Sequence, residues 1–471
     1  MRWRIRDVPF AFREWADAAA RRSPARLAVV VFAAVVALFT LLLMAPWATA
    51  GEGSARLVDA VFTAVSAVCV TGLAVQDTAT YWSMYGQVVI LAGVKVGGFG
   101  IMTVASIIGM IVSRKIGLTQ RILTASEQKT GRLGDVGSLV RTVIVAATTL
   151  ELAIAAMLFP RFLALEGDPG TAAWHSVFYG VMAFNNAGFV PTTEGLLPHV
   201  GDWGLVLPIG LGVFLGSLGF PVILNLYRAL REGRSRRERG VGRRWSLRLT
   251  LHTKLTLATS AALLLLGSVA IALLEWDNPE TFGPLDWPAK ILAALFAGVN
   301  PRSGGFSTVD IGAMEESTWL ITDALMFVGG GSASTAGGIK VTTLAVILLA
   351  IVAEARGDQD IDAYGRRIPP DVLRLALGVT FFGATVVMLT SVVLLQITDF
   401  PLSQVLFESL SAYATVGLST GITADLPDAA KYLLSALMFV GRTGGITFAA
   451  ALALRDRRRI VRFPEERPII G

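Results

Sequence analysis

Val70-Thr71-Gly72-Leu73 closes a short apolar run, and its pattern returns as Asn186-Ala187-Gly188-Phe189, Ser303-Gly304-Gly305-Phe306 and Thr415-Val416-Gly417-Leu418. The four glycines lie 116, 117 and 112 residues apart, each followed by a large apolar residue. Spacing this regular marks a fourfold repeat of one unit with a special backbone site at a fixed place. Before each glycine runs a short apolar segment: Leu57–Cys69, Ala173–Phe184, Trp287–Val299 and Leu402–Ala414. A helix of about thirteen residues reaches only about 20 Å, whereas a hydrocarbon core is about 30 Å thick. These segments therefore read as half helices that enter a membrane without crossing it.

Composition supports a membrane. Hydrophobic residues make up 54% of the 471 residues and charged residues 16%, with a mean hydropathy of +0.62. A soluble domain could not bury that much apolar surface. Longer apolar spans flank each half helix, which gives repeats over 27–112, 139–230, 251–353 and 372–454. An N-terminal segment (1–26) and a tail (455–471) lie outside them. The expected fold is an all-α integral membrane protein: four pseudo-symmetric repeats of span, re-entrant half helix, loop and span around one central pore. Of 41 Lys and Arg, 33 fall in the segments before, between and after the repeats. The positive-inside rule makes those segments cytoplasmic, with both termini inside a multi-pass cell-membrane protein. Blocks of charge between apolar spans orient a chain and do not form a nucleic-acid surface. The single Cys69 and three scattered histidines offer neither a disulfide framework nor a metal cluster, and no enzyme chemistry is legible.

The half helices would aim their partially negative C-terminal ends at the membrane centre, which favours a cation there. The glycine loops can then present carbonyls in place of hydration water. The residues involved are Val70, Thr71, Gly72; Asn186, Ala187, Gly188; Ser303, Gly304, Gly305; and Thr415, Val416, Gly417. Asp77, Glu194, Asp310 and Asp425 follow at similar distances and would concentrate cations at an outer mouth. Second spans carry Gly97, Gly216, Gly329 and Gly441. In the third repeat this glycine begins Gly329-Gly330-Gly331-Ser332-Ala333-Ser334-Thr335-Ala336-Gly337-Gly338. That composition cannot hold a regular helix, and irregular backbone at such depth survives only against protein or water. It reads as an obstruction across a central pathway. Lys95, Arg302, Lys340, Glu408 and Arg442 are intramembrane charges that need partners or water; Arg302 and Glu408 could pair behind the loops.

Together, Val68-Cys69-Val70-Thr71-Gly72-Leu73, Phe184-Asn185-Asn186-Ala187-Gly188-Phe189, Arg302-Ser303-Gly304-Gly305-Phe306-Ser307-Thr308 and Ala414-Thr415-Val416-Gly417-Leu418-Ser419 resemble the four filter motifs of the Trk/Ktr/HKT superfamily of potassium transporters. The chain is most similar to the membrane subunit of the Ktr form, since it has no extra N-terminal pair of spans. The resemblance implies a potassium-channel-like fold, with potassium at the filter carbonyls, and a gating loop spanning Gly330, Gly331, Ser332, Ala333, Ser334, Thr335, Ala336, Gly337, Gly338 and Lys340, with Arg442 beside it. It also implies a homodimer, with the tail Phe463–Gly471 at its interface, seated on a cytosolic ring of nucleotide-binding regulatory subunits. This chain has no phosphate-binding loop after a strand, so a nucleotide would belong to the partner. The basic segment Arg228–Lys254 could dock that ring or bind anionic lipid. Lys95 stands where the family commonly has an uncharged polar residue. Channel-like potassium uptake, sodium-permeable or sodium-coupled symport, and alternating-access transport of a small solute are distinct expectations, in that order.

Overall fold

The computed structural model describes residues 24–100, 136–238 and 249–453. The expectations for the N-terminal segment, the end of the first repeat's second span, the middle of the Arg228–Lys254 segment and the C-terminal tail fall wholly or mainly outside the described residues.

Each repeat is built on a long helix, a short helix, a loop and a further helix. In the first repeat these are α1 (Pro24–Leu43), α2 (Leu57–Val68) and α3 (Met84–Gly98); in the second, α4 (Val136–Glu166), α5 (Pro169–Asn185), α6 (Trp203–Leu218) and α7 (Phe220–Glu238). The third repeat has α8 (Leu251–Glu275), α9 (Trp287–Val299), α10 (Glu316–Phe327) and α11 (Val341–Arg356). The fourth has α12 (Pro370–Ile397), α13 (Leu402–Tyr413) and α14 (Asp428–Ala453). By length and composition α4, α8 and α12 can each cross a membrane, and α6 with α7 can do so as one bent span. Leu265, Leu266, Val269 and Leu273 on α8, and Phe381, Met388, Leu389 and Val392 on α12, are exposed. Outward apolar rows of this size suit lipid rather than water.

Two of the short helices, α5 and α9, start where an aspartate satisfies a free N–H group. Asp168 accepts from Thr171 N at 2.7 Å ahead of Pro169, and Asp286 accepts from Ala289 N at 3.2 Å ahead of Pro288. Those bonds to Thr171 hold the Asp168 carboxyl below the usual carboxylate range. The core lies between these helices and their flanking spans, with Phe62, Phe178, Phe184, Phe306 and Phe407 buried around the centre.

Two features depart from the sequence reading. The second repeat's span, expected unbroken over 203–230, bends by 98° between α6 and α7. The break is at Gly219 (φ +90°), where a β-carbon would lie 2.6 Å from Ser332 O of the third repeat. Between α11 and α12 a small antiparallel hairpin, β1 (Ile361–Ala363) with β2 (Arg366–Ile368), packs Ala363 and Ile368 against Val346 and Ala376.

Candidate functional site

The four short helices converge on the four glycine loops. In every loop the residue two before the glycine is left-handed: Val70 (φ 58°), Asn186 (φ 60°), Ser303 (φ 74°) and Thr415 (φ 48°). Such a conformation costs about 1–3 kcal/mol for a non-glycine residue, most clearly for a β-branched one such as Val70, and persists only where surroundings impose it. A β-carbon at Gly72 would lie 2.1 Å from Gly188 N, and one at Gly188 would lie 2.3 Å from Gly305 O. One at Gly305 would lie 2.6 Å from Val416 O, and one at Gly417 would lie 2.2 Å from Thr71 O. Each loop thus abuts the next in chain order and the fourth abuts the first. The twelve loop residues expected from sequence form one closed ring, too tight for any β-carbon at its four glycines.

Hydroxyl and amide side chains brace the ring from behind, a feature the sequence reading missed. Ser66 Oγ donates to Leu73 O at 2.7 Å and accepts from Gly72 N at 3.1 Å. Ser411 Oγ accepts from Gly417 N at 3.1 Å, six residues away as in the first repeat. In the third repeat Asn300 Oδ1 accepts from Phe306 N at 3.2 Å. The signal was a serine six residues before the glycine in repeats one and four.

Below the ring lies the Gly/Ser loop, which separates α10 from α11. It touches neighbours from the second, third and fourth repeats, and Arg442 links it to the first. Gly331 N donates to Ser217 O at 2.7 Å, and Gly337 N donates to Ser303 Oγ at 3.1 Å. The Asn186 amide, oriented toward the carbonyls of Phe184 and Val213, lies 3.1 Å from Thr335 Oγ1. Arg442 Nη1 donates to Thr335 O, and Arg442 Nη2 donates to Gly97 O at 3.0 Å. Lys340 Nζ turns back on its own loop, donating to Ala336 O at 2.7 Å and Gly337 O at 3.3 Å. Loop residues Gly330, Ser332, Ala333, Ser334 and Gly338 complete the segment, and Ala333 O accepts from Phe220 N at 3.3 Å just past the α6–α7 bend.

Among the remaining charges one expected pair is not formed and one unforeseen pair is. Arg302 and Glu408 do not pair. Glu408 accepts from Ser419 Oγ at 2.5 Å, Thr423 Oγ1 at 2.8 Å and Thr420 N at 3.1 Å. Arg302, fully buried, donates to Ser260 O at 3.0 Å and lies over the Phe214 ring. Glu408 is held by three donors of its own loop, whereas Arg302 has one carbonyl and one aromatic face, and its Nε and Nη2 find no hydrogen-bond partner among the described residues. Lys95 forms an ion pair with the buried Glu151 of α4, a partner that the sequence reading overlooked. Asp77, Glu194, Asp310 and Asp425 are all exposed, on the loops that leave the ring. Asp77 accepts from Ala79 N at 2.7 Å and Asp310 from Gly312 N at 2.9 Å, so these two also shape their own turns.

Residues 8–458 match the family described as TrkH, cation transport protein. The chain is 35% identical over 451 residues to Ktr system potassium uptake protein B of Bacillus subtilis (strain 168), covering 96% of this chain and 97% of that one. It is 30% identical over 465 residues to the potassium/sodium uptake protein NtpJ of Enterococcus hirae, covering 96% and 98%. The crystal structure of the potassium transporter TrkH from Vibrio parahaemolyticus superposes with a TM-score of 0.70 at 17% identity, covering 92% of this chain and 85% of that one.

Proposed function

Because the chain belongs to the TrkH family of cation transport proteins and is no enzyme, we propose that it takes up potassium across the cell membrane through the four-loop ring, acting as a selectivity filter. The closed ring of backbone, with a left-handed residue at the same place in all four loops, carries this reading. Carbonyls held at fixed separation can replace the hydration shell of a desolvated cation. The four exposed carboxylates raise the local cation concentration at the outer mouth. The Gly330–Gly338 loop, fastened beneath the ring by Asn186, Ser303 and Arg442, is the gate. Both termini are cytoplasmic, by the charge distribution along the sequence. We infer that the functional assembly is a homodimer on a cytosolic, nucleotide-binding regulatory ring; that relatives are named for a Ktr system supports a partner subunit.

The name of the Enterococcus relative favours a second reading, in which sodium also permeates or is coupled. Potassium and sodium flux in proteoliposomes, with and without an opposing sodium gradient, separates the two. Gly72→Ser and Gly417→Ser must displace the neighbouring loop to seat a β-carbon, so less folded protein is expected. In the fraction that folds, the potassium-to-sodium flux ratio should fall by about tenfold, a loss of about 1.4 kcal/mol of discrimination. Unchanged ratios in both variants would remove the filter assignment.

A further inference from the structure

Thr335, at the middle of the Gly/Ser loop, is held twice. Its carbonyl accepts from Arg442, and its hydroxyl meets the Asn186 amide at 3.1 Å. Following each hold outward leads to the same residue. Arg442 is fixed by Gly97 O at 3.0 Å, on the last turn of α3. Two residues earlier on that turn, Lys95 Nζ donates to Glu151 Oε2 and, at 3.1 Å, to Thr148 Oγ1, both on α4. On the other side, Asn185 precedes Asn186, and Asn185 Nδ2 donates to Glu151 Oε1 at 2.7 Å and to Val181 O at 2.8 Å. Glu151 therefore uses one oxygen for each arm. The packing is close as well, since a β-carbon at Gly98 would lie 1.9 Å from Asn185 Oδ1.

We propose that Lys95 and Glu151 are a positioning pair that holds the gate shut: they fix the Gly97 carbonyl under Arg442 and the Asn185–Asn186 step beside Thr335. The proposal rests on the reading of the Gly/Ser loop as the gate. Neither residue touches the permeating ion. A buried carboxylate survives in this setting only with its cation and amide partners in place. The pair therefore has one low-energy arrangement, and the two arms inherit it. A gate is an equilibrium between closed and open forms, and removing contacts made only in the closed form shifts it toward open. Changing the filter itself would alter ion preference, which the pair should leave alone.

The test is basal potassium flux in proteoliposomes for Lys95→Met/Glu151→Gln, made both in the complete chain and in a chain lacking Gly330–Thr335. The double variant leaves no lone buried charge, so its folding is not placed at risk by an unpaired Glu151. In the complete chain it should raise basal flux by about fivefold. In the shortened chain, already open, it should add less than about twofold, and the potassium-to-sodium ratio should stay unchanged in both. Lys95→Arg should bring flux back toward the unmodified level, and Thr148→Val, which removes one hydroxyl, should raise it by a smaller factor. The same fold-change in both backgrounds, lower flux from a folded variant, or an altered ion ratio would overturn the positioning role alone. If shortening the loop fails to raise flux in the otherwise unmodified chain, the gate reading falls and takes this one with it.

Discussion

The four glycine loops and the four second spans recur at the same places in the repeat, yet the loops are alike while the spans are not. All four loops share the left-handed residue and the close approach to a neighbour. Among the second spans, Gly97, Gly216 and Gly441 each face the carbonyl at the end of their own short helix: a β-carbon would lie 2.0 Å from Val68 O, 1.9 Å from Phe184 O and 1.8 Å from Tyr413 O. Gly329 has a different neighbour. Its β-carbon would meet Gly337 O, in its own loop, at 2.0 Å. A ring around an ion needs contributions from every side, so all four loops are constrained together. On the proposed reading of the Gly/Ser loop as the gate, one segment is enough to obstruct the path, and the third span alone of the four lacks this packing contact.

That contrast makes its strongest prediction at the glycines. Gly441→Ala must push a helix away from a backbone carbonyl that cannot swing aside, and overpacking against backbone belongs to the large-effect class of about 4 kcal/mol or more. Little folded protein should be recovered, as judged by a monodisperse peak in detergent. Gly329→Ala meets Gly337 O of the proposed gating loop; if that loop moves in gating, the protein should fold and show raised basal potassium flux. Equal loss of folded protein from both would erase the distinction between the third span and the rest.

A second prediction concerns the bracing behind the ring. Ser66→Ala removes two hydrogen bonds from the first loop and Ser411→Ala one from the fourth. At about 1 kcal/mol per buried bond, the first should reduce the potassium-to-sodium ratio more than the second. Flux-ratio measurements on the two variants check the order. The strain stored at Val70 and Thr415 is what these bonds oppose.

Much of this arrangement could be read from residues alone, and the exceptions have identifiable causes. The glycine spacing and the half-helix length gave the repeat, because both follow from local composition. The start of α5 lies four residues ahead of the expected Ala173, at Pro169. Apolarity begins late there, and the Asp168-Pro169 start signal was the better guide. The bend after Leu218 answers to Ser332, more than a hundred residues away, although Pro221 beyond it was a local hint. Glu151 was missed as a single acidic residue in the apolar middle of α4, and Lys95 consequently looked unpartnered. Pairing of buried charges depends on which helices become neighbours, and repeat spacing alone does not specify that. Arg302 and Glu408 illustrate the converse: opposite buried charges that do not meet, Glu408 taking neutral donors on its own loop while, among the described residues, only one Arg302 nitrogen, Nη1, finds a carbonyl.

The smallest effect is expected where repeats four and one meet at the surface. Arg56, just before α2, donates to Asp428 Oδ2 at the start of α14 at 2.6 Å, and both side chains are exposed. Asp428 holds the Arg56 guanidinium's pKa above its ordinary value, yet exposed pairs contribute little because water and salt screen them. Deeper in, the same two repeats meet through Gly417 and Thr71, where the contact is backbone against backbone. If that contact closes the ring, Arg56→Ala should leave flux and ion ratio unchanged. It should lower the thermal midpoint slightly at low salt and not at all near 1 M salt, where the screening length falls to about 3 Å. A salt-independent loss of selectivity would instead mean that the rim pair, rather than the buried backbone, holds the first and fourth repeats in register.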